Sequence, residues 1–282
     1  MWPPRETVDV SGPGKSPRSE GERLIAAYLR QRRLPWVHEP DIGGRNLDFL
    51  AETAVGHVAL EVYEPELRLP NGAGAFDYIA AVEGLFAQRK LKQIKAAKSA
   101  GLPLILVVGS ANSDIPLDLF AMEGLMFGRP GVRFPLDSPD PGADAEWTFL
   151  GAGRIQPRLN RGVSALALVR RFNPTQWRLE RAWRSQRLLL GDAPNRRAVV
   201  ELYGRMRAIE TELVERGVYD PAAAVARLVI LHNPHADHPL DKRFAGPHDD
   251  QYGVVELDDG RVVWGCLAFG LSRWEVLGDG ER

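Results

Sequence analysis

The sequence predicts an α/β protein, and three stretches carry the prediction. "LILVVG", Leu104–Gly109, is an unbroken apolar run bounded by turn signals, the pattern of a strand buried on both faces of a sheet. Segments near 19–33 and 78–100 repeat apolar residues at helical spacing. "LDFLAETAVGHVALEVYEPE", from Leu47 to Glu66, alternates apolar and polar residues on two arms around a tight connection, which reads as a hairpin. With 282 residues, 44% of them hydrophobic, the chain can bury a sizeable core around such a sheet.

The elements follow in order. Residues 1–18 are rich in Pro, Gly and Ser and are expected to form a flexible tail. "GPGKS" within it lacks the first glycine of a phosphate-binding loop, because Asp9 stands there, and Pro17 interrupts the helix that would follow. Ser19 and Glu22 make a capping box, and Leu24, Ile25, Tyr28 and Leu29 continue a helix over 19–33. "PWVHEP" is a short strand and Gly43-Gly44 a turn before the hairpin. The helical pattern of 78–100, broken near Gly84, ends at Gly101-Leu102-Pro103. Residues 110–160 read as loops with short strands, "VSALALVRRF" as a further strand, 175–190 and 195–217 as helices, 225–231 as a strand, and "LDDGRV" as the centre of a hairpin with an Asp-Gly turn. These divide the chain into a core over 19–172 and a C-terminal α+β extension over 173–282, which either stands apart or pads the same sheet.

Composition excludes several classes. A single cysteine, Cys266, rules out an internal disulfide and a cysteine-rich zinc cluster and fits a reducing cytoplasm. The N-terminus has no basic-then-apolar signal pattern, and no apolar run approaches the ~20 residues that span a bilayer. A cytoplasmic protein without membrane contact is the expectation. Net charge is −1, but Arg154, Arg158, Arg161, Arg170, Arg171, Arg178, Arg181, Arg184 and Arg187 crowd a stretch whose one acid is Glu180. Such asymmetry can mark a face for a polyanion.

The hairpin raises a chemical question. Taking "TAVG" as its loop, because Val55 resists the left-handed geometry of a two-residue turn, sets Glu52 opposite His57, Phe49 opposite Leu60 and Asp48 opposite Glu61. Leu47, Phe49, Ala51, Val58, Leu60 and Val62 then share one face, and Asp48, Glu61 and Tyr63 the other. Facing carboxylates repel by roughly 0.2–1 kcal/mol when exposed and shift each other's pKa further when buried. Two readings remain open: the acids share a hard divalent cation with oxygen ligands, or they lie on a solvated face.

In order along the chain, "SEGERLIAAYL", the hairpin, and "QRKLKQIKAAKSAGLPLILVV" resemble the blocks of the PD-(D/E)xK, or restriction-endonuclease-like, nuclease superfamily. The resemblance covers about 19–109 and implies a core of helix, three-stranded meander, helix and buried strand. It implies Asp48 and Glu61 as ligands of Mg²⁺ or Mn²⁺ and Glu20 as the helix acid, chosen over Glu22 because capping already accounts for the latter. In such enzymes the metal polarises the scissile phosphate and a lysine positions or deprotonates the attacking water. Here the chain departs from the pattern: Tyr63 stands in the lysine's place and Leu47 where a proline usually precedes the aspartate. The following helix carries Arg89, Lys90, Lys92, Lys95 and Lys98, and Lys90 or Lys92 is expected to supply the charge, unless these residues only form a solvated face. In a competent site a Lys or Arg nitrogen should reach Glu61 on the side of Asp48; an apolar lining there would mark a scaffold that binds without cutting.

The expected partner is nucleic acid, DNA in preference to RNA, with a homodimer as the expected assembly for cutting both strands. Lys95, Arg178, Arg181 and Arg184 are the candidate phosphate contacts, the arginines recurring every third residue with Trp177 and Trp183 among them. The alternative is a charged helix face over a tryptophan core. "HNPHADHPL" spaces His232, His235 and His238 by three, but Pro234 and Pro239 oppose a helix, so a structured loop at the end of a strand is expected rather than a zinc site.

Overall fold

In the computed structural model of the chain, residues 16–65, 86, 88–109, 119–133, 146–150, 153–175, 178–179, 196–256, 262–267 and 271–275 are described. They form α1 (Glu20–Gln31), β1 (Trp36–His38), β2 (Phe49–Thr53), β3 (Gly56–Tyr63), α2 (Gln88–Ser99), β4 (Leu104–Gly109), α3 (Leu119–Phe127), β5 (Arg129–Arg133), β6 (Glu146–Leu150), β7 (Ala165–Phe172), α4 (Arg196–Glu215), β8 (Val225–His232), β9 (Asp250–Glu256), β10 (Val262–Cys266) and β11 (Leu271–Glu275). The class is mixed α/β. Two compact units result: Met1–Arg170 with Arg227–Arg282, and Arg171–Ala226. The sequence expectation divides the chain once, at 172; here the strands after 226 join the sheet of the first unit.

That sheet runs in the order β1-β2-β3-β4-β7-β8-β9-β10-β11. β1, β2 and β3 form an antiparallel meander, and β4 then lies parallel to β3, with β7 parallel to β4. A parallel neighbour needs a crossover, and α2 lies on the chain between β3 and β4. Every residue of β4 is buried, as a central strand covered on both faces requires. β5 and β6 pair separately.

Ser19 caps α1 by accepting the Glu22 amide at 3.1 Å. The other half of the capping box is altered: the Glu22 carboxylate takes the Arg18 amide at 2.6 Å and lies 3.6 Å from His38 Nε2. α1 packs on β3 and β4 through its first turn, where a Cβ on Gly109 would stand 2.6 Å from Gly21 Cα. Only two glycines allow helix and strand backbones this close. Gly21 also meets Val62, so α1 covers the Val62 face of β3 and leaves the Glu61 face to α2. There Ile94 and Ala97 join Leu50, Ala59, Leu104 and Leu106 in the main hydrophobic cluster.

Three sequence expectations change. The hairpin turn is shorter than "TAVG": Thr53 pairs with Gly56, leaving Ala54 and Val55 between them. The positive φ falls on Gly56, at 134°, so Val55 escapes the conformation it would resist. Secondly, the acid-bearing face is covered, not solvated, and Leu47 leaves the Phe49 face to join the cluster with Leu50 and Ala59. Thirdly, 110–160 contains α3, whose Ala121, Met122, Glu123, Leu125 and Met126 are all buried. A helix apolar all round has no polar face to announce its period. Glu123 there accepts the indole N–H of Trp264 at 3.2 Å.

The C-terminal strands are tied back to α1. Tyr28 donates its hydroxyl to Asp249 Oδ2 at 2.6 Å, and the same carboxylate accepts the amides of Gly246 at 2.5 Å and Leu228 at 2.8 Å. In the second unit Asn173 Nδ2 donates to the Asp220 carbonyl at 2.6 Å, and α4 buries Leu202 and Met206. Among the described residues no helix is long and apolar enough to cross a membrane. The tail expected over 1–18 lies outside the described residues except for 16–18, as does the first part of the helix expected over 78–100 and most of that over 175–190.

Candidate acidic site

The β2–β3 ladder pairs Glu52 with His57, Ala51 with Val58 and Phe49 with Leu60. One step beyond, the backbones part and side chains take over. The Asp48 amide donates to Glu61 Oε2 at 3.3 Å, and the Val62 amide donates to Asp48 Oδ2 at 2.6 Å. Each acid is thereby held by the other's strand at the open end of the hairpin.

α2 completes the site. Lys90, Ile94 and Ala97 follow the i, i+4, i+7 spacing of one helix face. Phe86 packs against the core and Ile94 and Ala97 are buried in it, so Lys90 is carried to the sheet on an apolar stripe. Its stem lies in the core and its ammonium reaches the acids. Lys90 Nζ donates to Glu61 Oε1 and, at 2.8 Å, to the Val62 carbonyl, and stands 3.8 Å from Asp48 Oδ2. Gln93 fastens the same helix to the strand approach, its Nε2 donating to the Asn46 carbonyl at 3.0 Å.

Burial sets the electrostatics. Glu61 is 1% exposed and Lys90 5%. Burial, with Asp48 as a second cause, pushes the Glu61 carboxyl up to about 7 even though Lys90 pulls the other way. Burial also raises Asp48; Lys90 and the Val62 amide oppose this, while the charge of Glu22 adds to it. Two acids against one lysine leave the cluster short of positive charge.

The structure therefore brings Asp48, Glu61 and Lys90 together. Lys92 and Lys95 are exposed on the other side of α2. Glu20 pairs with Arg23 at 3.1 Å along the helix, whereas Glu22 is the α1 acid whose field reaches Asp48. The Glu22 amide is the one that Ser19 caps, and the Glu22 carboxylate is shared between the Arg18 amide and His38. Tyr63 packs against the core cluster. Arg178 Nη1 donates to the Val218 carbonyl at 3.0 Å. Arg181, Arg184, Trp177 and Trp183 lie outside the described residues.

The residue that sequence reasoning underweighted is Lys90 as a buried group. Counting back four from Ile94 places it on the apolar stripe, and that arithmetic separates it from Lys92 and Lys95. His38, buried against Phe49 at 4.9 Å between ring centroids and beside Glu22, had no signal of its own.

In the histidine loop, Asn233 holds the turn by donating Nδ2 to the Val163 carbonyl at 2.6 Å, and His232 Nε2 meets Gln251 Oε1 at 2.9 Å. Asp237 is clamped there by Lys98 and Arg161, each at 2.6 Å. Among the described residues no three His, Cys, Asp or Glu side chains are grouped to hold a metal. At the acidic site two carboxylates and the Val62 carbonyl present hard oxygen donors around one point. That set suits Mg²⁺ or Mn²⁺, which commonly takes one or two carboxylates and leaves its remaining positions to water and phosphate.

No family model matches the chain, and no curated protein matches it. Among solved structures it is similar to Pyrococcus furiosus SfsA in complex with Ca²⁺, at 22% identity and a TM-score of 0.23, over 33% of this chain and 40% of that one. The chain thus spans well under half of that structure, and a likeness so slight carries no argument.

Proposed function

We propose that the first unit has a restriction-endonuclease-like core and acts as a metal-dependent phosphodiesterase on nucleic acid, DNA in preference to RNA. The observation that carries this reading is the Asp48–Glu61 pair, Glu61 buried and Asp48 half-buried, with the Lys90 ammonium delivered to it from the next helix. Its support is the combination, since a solvated acid pair needs no buried lysine. Asp48, Glu61 and the Val62 carbonyl would hold the divalent ion. When bound, that ion polarises the scissile phosphate and acidifies a nearby water. The chain's own part is to exclude bulk water through α2, to keep the two carboxylates aligned through crossed amide bonds, and to bring the Lys90 cation to the reacting phosphate in place of the motif lysine whose position Tyr63 occupies. Exposed Lys92 and Lys95 continue the positive surface along the same helix.

The test is cleavage of plasmid DNA and of oligoribonucleotide with Mg²⁺ or Mn²⁺, comparing the native protein with Glu61→Ala purified in parallel. Cleavage by the native protein and its loss in the variant are expected.

A second reading is favoured by Tyr63, half-buried against the core where the motif lysine would stand. It is a scaffold that binds nucleic acid without cutting it. Salt-sensitive binding with no cleavage under any of those conditions would select it.

A further inference from the structure

Lys90 does more than approach the acids. An ammonium has three N–H donors, and around Lys90 Nζ stand three oxygens from both strands of the hairpin: Glu61 Oε1, the Val62 carbonyl at 2.8 Å, and Asp48 Oδ2 at 3.8 Å. These are the same oxygens that would receive a divalent ion. Lys90 is 5% exposed, and one turn on its helix is anchored by Ile94 in the core and by Gln93 on the Asn46 carbonyl. Two cations cannot occupy one seat between the same acids.

We propose that the Lys90 ammonium is a tethered occupant of the cation seat, so that a divalent ion enters only as the lysine side chain swings out of it. This rests on reading Asp48 and Glu61 as a cation site, and it deepens that reading by making the site self-blocking at rest. Charge balance explains why such an arrangement is stable. The buried acids keep a counterion in the absence of metal, and the lysine is released when a doubly charged ion replaces it. The freed ammonium, on a four-carbon stem rooted at the wall of the site, is then the group nearest to an incoming phosphate. Metal binding and lysine availability become a single event.

The test is Mn²⁺ binding followed by electron paramagnetic resonance on the protein without nucleic acid, comparing native protein with Lys90→Met, whose side chain keeps the stem and loses the charge. Lys90→Met should bind Mn²⁺ at least about tenfold more tightly than the native protein. Equal or weaker binding by the folded variant overturns the proposal. The native protein supplies a second measurement that does not depend on the variant folding. Amine acetylation read by mass spectrometry should find Lys90 slow to react without metal and several-fold faster with saturating Mn²⁺, with exposed Lys92 and Lys95 as unchanged internal references. Unchanged Lys90 reactivity overturns it as well. Neither readout requires cleavage, so an inactive protein that shows both effects would sink the nuclease reading and leave the tethered cation standing.

Discussion

Asp48 and Glu61 exchange backbone partners: the amide of Asp48 serves Glu61, and the amide that follows Glu61 serves Asp48. The last regular pair of the hairpin is Phe49 with Leu60, so the crossed bonds begin where the strands stop pairing. A sheet end whose amides would otherwise be orphaned thus positions two carboxylates on one point, and Lys90 neutralises part of their charge. Five expectations follow from this arrangement and its supports.

Removing one partner of a buried ion pair strands the other. Lys90→Met should destabilise the native protein by roughly 3–5 kcal/mol in urea unfolding at neutral pH. Adding Glu61→Gln to that variant should restore a measurable part of the loss, giving a coupling energy of about 0.5–3 kcal/mol in a double-mutant cycle. Additive losses would mean that the two side chains do not act as a pair.

The Glu61 carboxyl lies near 7 in the folded protein against 4.5 ordinarily, because of burial first and Asp48 second. A raised acid holds its proton better when folded, so its contribution to stability is complete below pH 4.5 and is lost as pH rises through about 7. The difference in unfolding free energy between native protein and Glu61→Gln should therefore fall across that window, by on the order of 3 kcal/mol at most. Taking the difference removes carboxylates of opposite sign such as Asp241, which Arg243 holds down to about 2. A flat difference between about pH 5 and pH 8 would contradict the burial of Glu61.

An alanine in an ordinary helix or strand stabilises relative to glycine. Gly109→Ala should do the reverse, by roughly 1–3 kcal/mol, since its Cβ would meet the Gly21 backbone and neither chain can yield there without moving α1 off the sheet. The sign of the change in urea midpoint decides the matter.

The α1 acids can be told apart by cleavage and by Mn²⁺ affinity. Glu22→Gln should cost about 10–100-fold in one or both, as outer partners of a metal site commonly do. Glu20→Gln, removing a carboxylate paired with Arg23 along the helix, should change either by much less. The opposite order would return the role to Glu20.

Tyr28→Phe should leave the fold intact and loosen one corner. The half-buried Asp249 carboxylate would keep the Gly246 and Leu228 amides but lose its Tyr28 donor, at roughly 1–3 kcal/mol. Hydrogen exchange should speed up over 241–250 while β4 stays protected. Uniform acceleration would show that the tie is not local.

Periodicity along a chain is local, and whatever local periodicity settles was legible in the sequence. Alternation in "LDFLAET" and "GHVALEVY" set the register that places Asp48 across from Glu61, and the unbroken apolar run of β4 announced a strand covered on both sides. Even the turn failed only in its count, because Thr53 and Gly56 pair and the positive φ falls on Gly56 and not on Val55. Tertiary packing decided the rest. A helix turns about 100° per residue, so choosing Lys90 over Lys92 depends on which face of α2 meets the sheet, and Ile94 and Ala97 decide that only once the sheet is present. Glu22 lies beside His38, which arrives from β1, and no local pattern announces that meeting. α3 escaped notice because a helix buried all round carries no polar stripe. The order of strands decided that residues after 226 complete the first unit's sheet, since pairing between distant segments has no sequence period to betray it.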